Sequence, residues 1–397
     1  MYALDGIRVA DFSTMMNGPY ATMLLSDMGA DVIKIEPPDG DPYRRNAGAF
    51  MGCNRGKRSI ALDLKKPQAK EIVHKLIART DILVENARWG VWHKLGLDYE
   101  SVARIKPDII YLSVLGHGSG GPYSTWPAYD PLLQCRSGQM VGQGGLGKPP
   151  VFHYIAINDQ AGPMLGAYGI ILALMVRAKT GKGQHIETSL TNAAAAVQSG
   201  DFIDYQGMQR KYQGDEDLRG LSATYRHYQA RDGRWLFVLC PREAEWRRLC
   251  QAMGLETLPS DPRFETPERR AENDGALVEI LSAAFQSKPA ADWIAALRQA
   301  EVPAAPAQTL QEILRDPHCQ VNNIFDDKEH PQFGRVRVLG IGPRFSEMSG
   351  VIKRAAPVLG QHTHEVLDEL AYNEQQTAQL EANKVIFSAR TIVVSPD

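Results

Sequence analysis

The sequence predicts an α/β protein: a Rossmann-like parallel sheet in a large domain, with a second, smaller α+β domain. Three observations carry this. Residues 7–36 read as strand, helix and strand within about thirty residues, the unit that generates parallel strands. Further β-type apolar runs at 81–86, 109–114 and 185–190 alternate with helical patterns. The chain has 397 residues, more than one ordinary core accommodates, so two domains are expected.

The first strand covers 7–12. Gly18-Pro19 opens a helix with Ala21, Leu24, Leu25 and Met28 on its apolar side, and 32–36 form the second strand. The crossover between such strands is right-handed. Only Met16-Asn17-Gly18-Pro19 joins strand to helix. Without a Gly-x-Gly-x-x-Gly there, a nicotinamide-dependent oxidoreductase is disfavoured, and no phosphate-loop signature follows. Asn54 to Arg58 is a basic cluster leading into an alternating strand. Taken alone, Lys57 and Arg58 read as solvated charges. A helix over 67–78 starts at Pro67. Beyond the strand at 109–114, Gly116, Gly118, Gly120, Gly121 and Pro122 form a loop.

Residues 154–190 are the central stretch. Asp159 stands between two apolar runs, and after it Met164, Leu165, Tyr168, Ile171, Leu172 and Met175 recur at helical spacing. Asn158 and Asp159 are both good caps for that helix, so Asp159 is expected at or near its N-terminus. Taken alone, it reads as a cap.

The pattern gives a large domain over 1–200, a linker over 201–224, a small domain over 225–315, a second linker over 316–330 and a closing segment over 331–397. The first linker is polar and includes Asp215, Glu216 and Asp217. Residues 225–238 form a hairpin turning at Asp232-Gly233. Helical patterns cover 244–253, 276–287 and 291–300, and a closing strand at 334–338 precedes a last helix with Val366 and Leu367.

Composition narrows the function classes. A net charge of −2 gives no general attraction to nucleic acid or to an anionic membrane. The apolar run at 161–176 is broken by Gly and Pro and is short for a span. The five cysteines are scattered, with no Cys-x-x-Cys pair, which points to a reducing compartment rather than disulfides or zinc. His362 and His364 lack further ligands at suitable spacing, so no metal is expected. The N-terminus has neither a basic nor an apolar leader segment, and a cytoplasmic protein is expected.

Asp159, the apolar helix, Thr180-Gly181-Lys182-Gly183-Gln184 and a strand, in that order, resemble the central signature of the class III CoA-transferases, the family of formyl-CoA, carnitine and bile-acid CoA-transferases. The resemblance runs over nearly the whole chain, and it implies that the closing segment over 331–397 returns to the large domain, so that the small α+β domain is inserted into it. Asn54 with Gly56-Lys57-Arg58-Ser59-Ile60 and Leu62-Asp63, then Val84-Glu85-Asn86 with Arg88, then Leu95-Gly96-Leu97 with Tyr99, are similar to the family's CoA-binding half. Tyr129-Asp130-Pro131-Leu132-Leu133-Gln134 with Ser137-Gly138 resembles the segment preceding the nucleophile.

The resemblance implies that Asp159 is the nucleophile. It implies that the CoA nucleotide lies near Met15, Leu62, Lys65, Asn86, Ala87, Arg88 and Lys94, and that Met16, Tyr129 and Asp130 face the substrate. Arg and Lys suit the phosphates as charged donors. The implied reaction moves CoA from an acyl-CoA thioester to a free carboxylic acid, through an aspartyl mixed anhydride and an aspartyl-CoA thioester. The CoA thioester is a substrate; no permanently bound cofactor is implied. The glycine loop over 116–121 is the expected source of oxyanion donors. The implied assembly is a homodimer of interlinked chains, or a heteromer with a related subunit.

Ala87 and Trp89 depart from the family pattern, where an aromatic residue and a proline are common. Met16 stands where some members have glutamine, and Arg219 to Thr224 replaces a glycine run of formyl-CoA transferase. Two alternatives share the fold: a 2-methylacyl-CoA racemase, and a non-catalytic subunit of a heteromeric transferase.

Overall fold

The computed structural model describes residues 2–208, 214 and 217–389; of the acidic residues at 215–217, Asp215 and Glu216 lie outside them. The described chain forms two compact units. The first contains 1–137, 153–204 and 317–397, and the second contains 138–152 and 205–316. Residues 138–152, expected within the large domain, thus group with the second unit.

Strands β1 (Arg8–Asp11), β2 (Asp31–Glu36), β3 (Arg58–Leu62), β4 (Ile82–Glu85), β5 (Ile110–Leu115) and β6 (Gln184–Ser189) lie parallel in the order 3-2-1-4-5-6. A short strand, Ile386–Phe387, adds antiparallel to β3. Successive side chains of a strand face opposite sides. Leu83 and Tyr111 therefore join a core beneath helix Pro67–Ile77, while Val84, Ile110 and Leu112 join one beneath helix Asn17–Asp27. Covering both faces is what allows a run such as Ile82-Leu83-Val84 in β4 to be apolar on both sides.

The central helix is Ile157–Thr180. By length and composition it is apolar enough to cross a membrane. Its buried side, however, is a stripe of small residues at Gly162, Gly166, Ala167 and Ala173. A Cβ on Gly166 would come within 2.9 Å of Leu112, and one on Gly169 within 3.0 Å of Ile186. The glycines let the helix lie close on β5 and β6. The helical period read from the sequence is correct, but Met164, Leu165, Tyr168, Ile171, Leu172 and Met175 occupy the exposed side of this chain.

Lys57 and Arg58 are not solvated. They are 0% and 4% exposed. The Lys57 ammonium donates to Asp11 Oδ2, the Pro19 carbonyl and Asn54 Oδ1, each at 2.8 Å, which satisfies all three of its donors. Arg58 donates to Asp31, Glu365 and Glu369, tying β3 to helix Thr363–Glu369. The sequence reading missed this because the partners lie up to 311 residues away.

In the second unit, strands Tyr225–Gln229 and Trp235–Leu239 form the expected hairpin, and Gly233 takes the left-handed φ of 78° that its turn requires. With Gly220–Ser222 and Ala304–Pro306 they make a four-stranded sheet. It packs on Trp246, Phe285 and Trp293, all from helices. The segment expected as a second linker instead holds helix Pro317–Val321 and strand Phe325–His330, which pairs with Gly334–Leu339. Gly334, at φ 65°, closes that hairpin.

Replacing Lys57 with Met leaves the Asp11 carboxylate buried without its counter-ion. This is expected to cost about 3–5 kcal/mol, and the double variant Lys57→Met/Asp11→Asn should recover much of the loss. Urea denaturation of the three proteins checks it.

Candidate active site

In a sheet of order 3-2-1-4-5-6, connections leave β1 and β4 in opposite directions. Ligands bind in the crevice beyond the carboxyl ends at that point. Met15 and Met16 follow β1, and Asn86, Ala87 and Arg88 follow β4, so the fold brings these sequence-predicted residues together. Asn86 clamps the two loops: its Oδ1 accepts from the Thr14 N–H at 2.9 Å, and its Nδ2 donates to the Thr14 carbonyl at 2.7 Å. Gly18 has no room for a Cβ, which would come within 2.2 Å of Ser13.

The remaining predicted CoA residues divide. Arg88, Lys65 and Lys94 are exposed at the carboxyl-end side of the sheet, Lys94 on helix Val91–Leu95. Leu62 is fully buried in the core, and its backbone pairs with Ile386 at the sheet edge. Glu85, immediately before Asn86, is buried and pushed up to about 7; burial is the main cause. Its Oε2 accepts from the Ala87 N–H at 2.9 Å.

Asp159 lies in the first turn of the central helix, not at its cap; the cap position is Ala156, which makes no side-chain bond. The reason is Asp130. This buried carboxylate, at the start of helix Asp130–Arg136, accepts the Asn158 N–H at 2.7 Å and the Asp159 N–H at 3.0 Å through one oxygen. A side chain from another element therefore caps the helix. Asp130 is itself held by Gln134, which bonds its other oxygen and accepts the His153 N–H at 3.1 Å. The neighbouring Tyr129 is 60% exposed.

Burial pushes the Asp159 carboxyl up to about 7, and the charge of Asp130 adds to the shift. Tyr43 and Cys53 belong to the same surroundings. Burial drives Tyr43 up to about 12, with the charge of Asp159 the next cause. Burial likewise raises Cys53 to about 11, and Asp159 contributes again. Sequence reasoning missed both. Tyr43 sits in a turn that Pro42 opens, Pro42–Arg45, and Cys53 inside helix Ala47–Asn54, neither of which carries a motif. Asn17 was also missed. It is buried against the central helix, where a Cβ on Gly162 would come within 2.9 Å of its Oδ1.

Other expectations fall elsewhere. The 116–121 loop follows β5, and its Ser119 N–H donates to Glu187 at 2.8 Å. Arg219 to Thr224 contains the edge strand Gly220–Ser222 of the second unit and borders a cavity of about 380 Å³ also lined by Arg242 and Arg270. His362 Nδ1 accepts the Ser59 N–H at 3.1 Å, and His364 pairs with Glu381 at 2.9 Å, so both histidines serve the fold. Among the described residues, His93, Asp98 and Glu100 could bring three ligand atoms within 4.8 Å of one another. Both Asp98 oxygens already bond Ser101 as a helix cap.

A doubly wound sheet with paired loops at its switch point and a desolvated carboxyl group defines an α/β enzyme. Comparison with known proteins narrows the class. The profile of the family described as CoA-transferase family III matches residues 4–363, and this chain belongs to that family. It is 32% identical over 397 residues to mouse succinyl-CoA:glutarate CoA-transferase, covering 97% of this chain and 91% of that protein. It is 30% identical to the succinyl-CoA–L-malate CoA-transferase beta subunit of Chloroflexus aurantiacus, covering 96% and 98%. Among solved structures, a CAIB/BAIF family protein from Brucella suis superposes with a TM-score of 0.85 at 31% identity, covering 93% and 99%. The chain is thus a class III CoA-transferase, an enzyme whose substrates are CoA thioesters.

The raised carboxyl at 159 has a consequence for stability. The folded protein holds a proton there that the unfolded chain releases near pH 4, so stability from this group is lost as pH rises toward and through about 7. Asp159→Asn removes the titration. Relative to wild type, this variant should be more stable at pH 8 than at pH 5, as measured by urea denaturation at both.

Proposed function

We propose that this enzyme moves CoA from a dicarboxylic acyl-CoA such as succinyl-CoA to a second dicarboxylic acid, with Asp159 as the covalent nucleophile. The observation that carries the reading is the Asp159 carboxyl itself, desolvated, beside a like charge, on a helix turn fixed by Asp130. The acid class follows the relatives, whose names specify succinyl-CoA with glutarate or malate.

The ionised Asp159 attacks the thioester carbonyl. The C–S bond breaks, CoA leaves as thiolate, and a mixed anhydride remains. The thiolate attacks the Asp159 carbonyl of that anhydride, releasing the donor acid and forming an aspartyl-CoA thioester. The acceptor carboxylate attacks this thioester and again expels thiolate. The thiolate then attacks the acceptor carbonyl, giving the new acyl-CoA and restoring Asp159. Acylation removes the negative charge facing Asp130, so the acyl-enzyme is favoured by relief of repulsion. Because Asp130 occupies the Asn158 and Asp159 N–H groups, oxyanion donors come from elsewhere. Tyr43 suits that role, since its hydroxyl keeps its proton up to about 12. Met16 and Tyr129 complete the substrate side, and Met15, Asn86, Ala87, Arg88, Lys65 and Lys94 the CoA side.

Asp159→Ala should abolish CoA exchange between succinyl-CoA and glutarate or malate while leaving circular dichroism unchanged. In wild type incubated with succinyl-CoA, hydroxylamine should convert Asp159 to a hydroxamate detectable by peptide mass spectrometry. Near-normal turnover by the variant would remove Asp159 from the mechanism.

The exposed Met164, Tyr168, Leu172 and Met175 side of the central helix supports a second reading, that a second copy of this chain covers it in an interlinked homodimer. The beta-subunit relative supports a related subunit as the alternative partner. Sedimentation of the purified chain at nanomolar concentration should give a dimer that does not dissociate. A folded monomer that pairs only with another polypeptide would point to the heteromer.

A further inference from the structure

The loop that joins β1 to helix Asn17–Asp27 has two residues in which to reverse. Thr14 is fixed at one end by Asn86, and the helix begins at Asn17. Met15 makes the reversal with φ at 65°, in the left-handed region. A long side chain rarely adopts that conformation unless its surroundings impose it, and such imposed residues gather at ligand sites.

Asp41 supplies the restraint. Its Oδ1 accepts the Met15 N–H at 3.0 Å, and the same oxygen accepts the Tyr43 N–H at 3.0 Å. Its Oδ2 is 2.9 Å from the Lys34 ammonium, which also donates to the Ser13 carbonyl at 2.9 Å. Asp41 and Lys34 are 1% and 0% exposed. One buried ion pair therefore grips the loop twice, at the Ser13 carbonyl and at the Met15 N–H, on either side of the Thr14 clamp. Asp41 in turn is oriented by its own N–H, which donates to Glu36 at 3.1 Å.

We infer that Asp41 is a positioning residue for CoA: it acts through Met15, holding the left-handed turn that shapes the CoA side of the site. The inference rests on the reading above, which places CoA beside Met15. The Tyr43 N–H gives Asp41 a competing role as cap of the Pro42–Arg45 turn, and the test separates the two.

The probe is CoA itself, with affinity measured by calorimetry on the full chain. Glycine adopts φ near +65° freely, so Met15→Gly makes the restraint unnecessary. Asp41→Ala should weaken CoA binding about tenfold or more in the wild-type background and by much less in the Met15→Gly background. Asp41→Asn keeps an oxygen for both N–H groups but gives up the charge opposite the buried Lys34, so it should bind CoA more tightly than Asp41→Ala though less tightly than wild type. Equal losses from Asp41→Ala in both backgrounds would assign Asp41 to the turn cap and overturn the inference. Met15→Val keeps Asp41 but places a β-branched residue where the left-handed conformation is excluded. It should lose about tenfold in affinity with circular dichroism unchanged, and this arm stands even if Asp41→Ala does not fold. If Met15→Val binds like wild type, the inference is overturned alone. If wild type fails to bind CoA, the reading of the site falls, and the inference with it.

Discussion

The sheet depends on a group of charges buried beneath its switch point. Asp11 and Lys57 are both fully inaccessible, yet each is ionised. Burial alone would neutralise Asp11, but Lys57 and Lys34 hold its carboxyl down at about 2. Taking these groups out of water costs several kcal/mol per ion, and attraction offsets that only where every donor and lone pair is used. Here they are used: Thr22 and Lys57 share one Asp11 oxygen, and Ser13 bonds the other. The partners come from β1, helix Asn17–Asp27 and the approach to β3, so satisfying one carboxylate orders three segments. Arg44 with Glu36, paired at 2.7 Å through two bonds, repeats the arrangement one strand away.

Asp159 has the opposite environment. Among the described residues, the groups that act on or respond to its charge are a carboxylate, a phenol and a thiol. A carboxyl so placed is destabilised when ionised. The paired charges around Asp11 give a rigid loop framework, and in the proposed mechanism covalent capture by an acyl group would relieve the strain on Asp159.

Much of the fold was legible because it is local. The βαβ start, the Asp232-Gly233 hairpin and the period of the central helix are each encoded within a few dozen residues. The candidate site was suggested only by resemblance, since Asp159 alone is an ordinary helix-start carboxylate. Lys57 and Arg58 were misread for the same physical reason: what neutralises them comes from distant segments that sequence spacing does not connect. Which side of the central helix is buried was also hidden. Glycine and alanine carry little hydrophobic signal, yet close approach to β5 and β6 selects them over the larger Met, Leu and Tyr. Tyr43 and Asp41 lacked any signal beyond a Gly-Asp-Pro turn.

The last described strand has a consequence for how the chain is made. Ile386–Phe387 covers the free edge of β3, a strand whose partner is more than three hundred residues away in sequence. During synthesis β1, β2 and β3 emerge first, so the β3 edge stands unpaired until nearly the whole chain has left the ribosome, with the entire second unit made in between. An uncovered strand edge is a template for pairing with other chains. Long-range pairing also slows completion of the sheet. Between translation of residues 62 and 386, the β3 edge is therefore open to pairing with other chains.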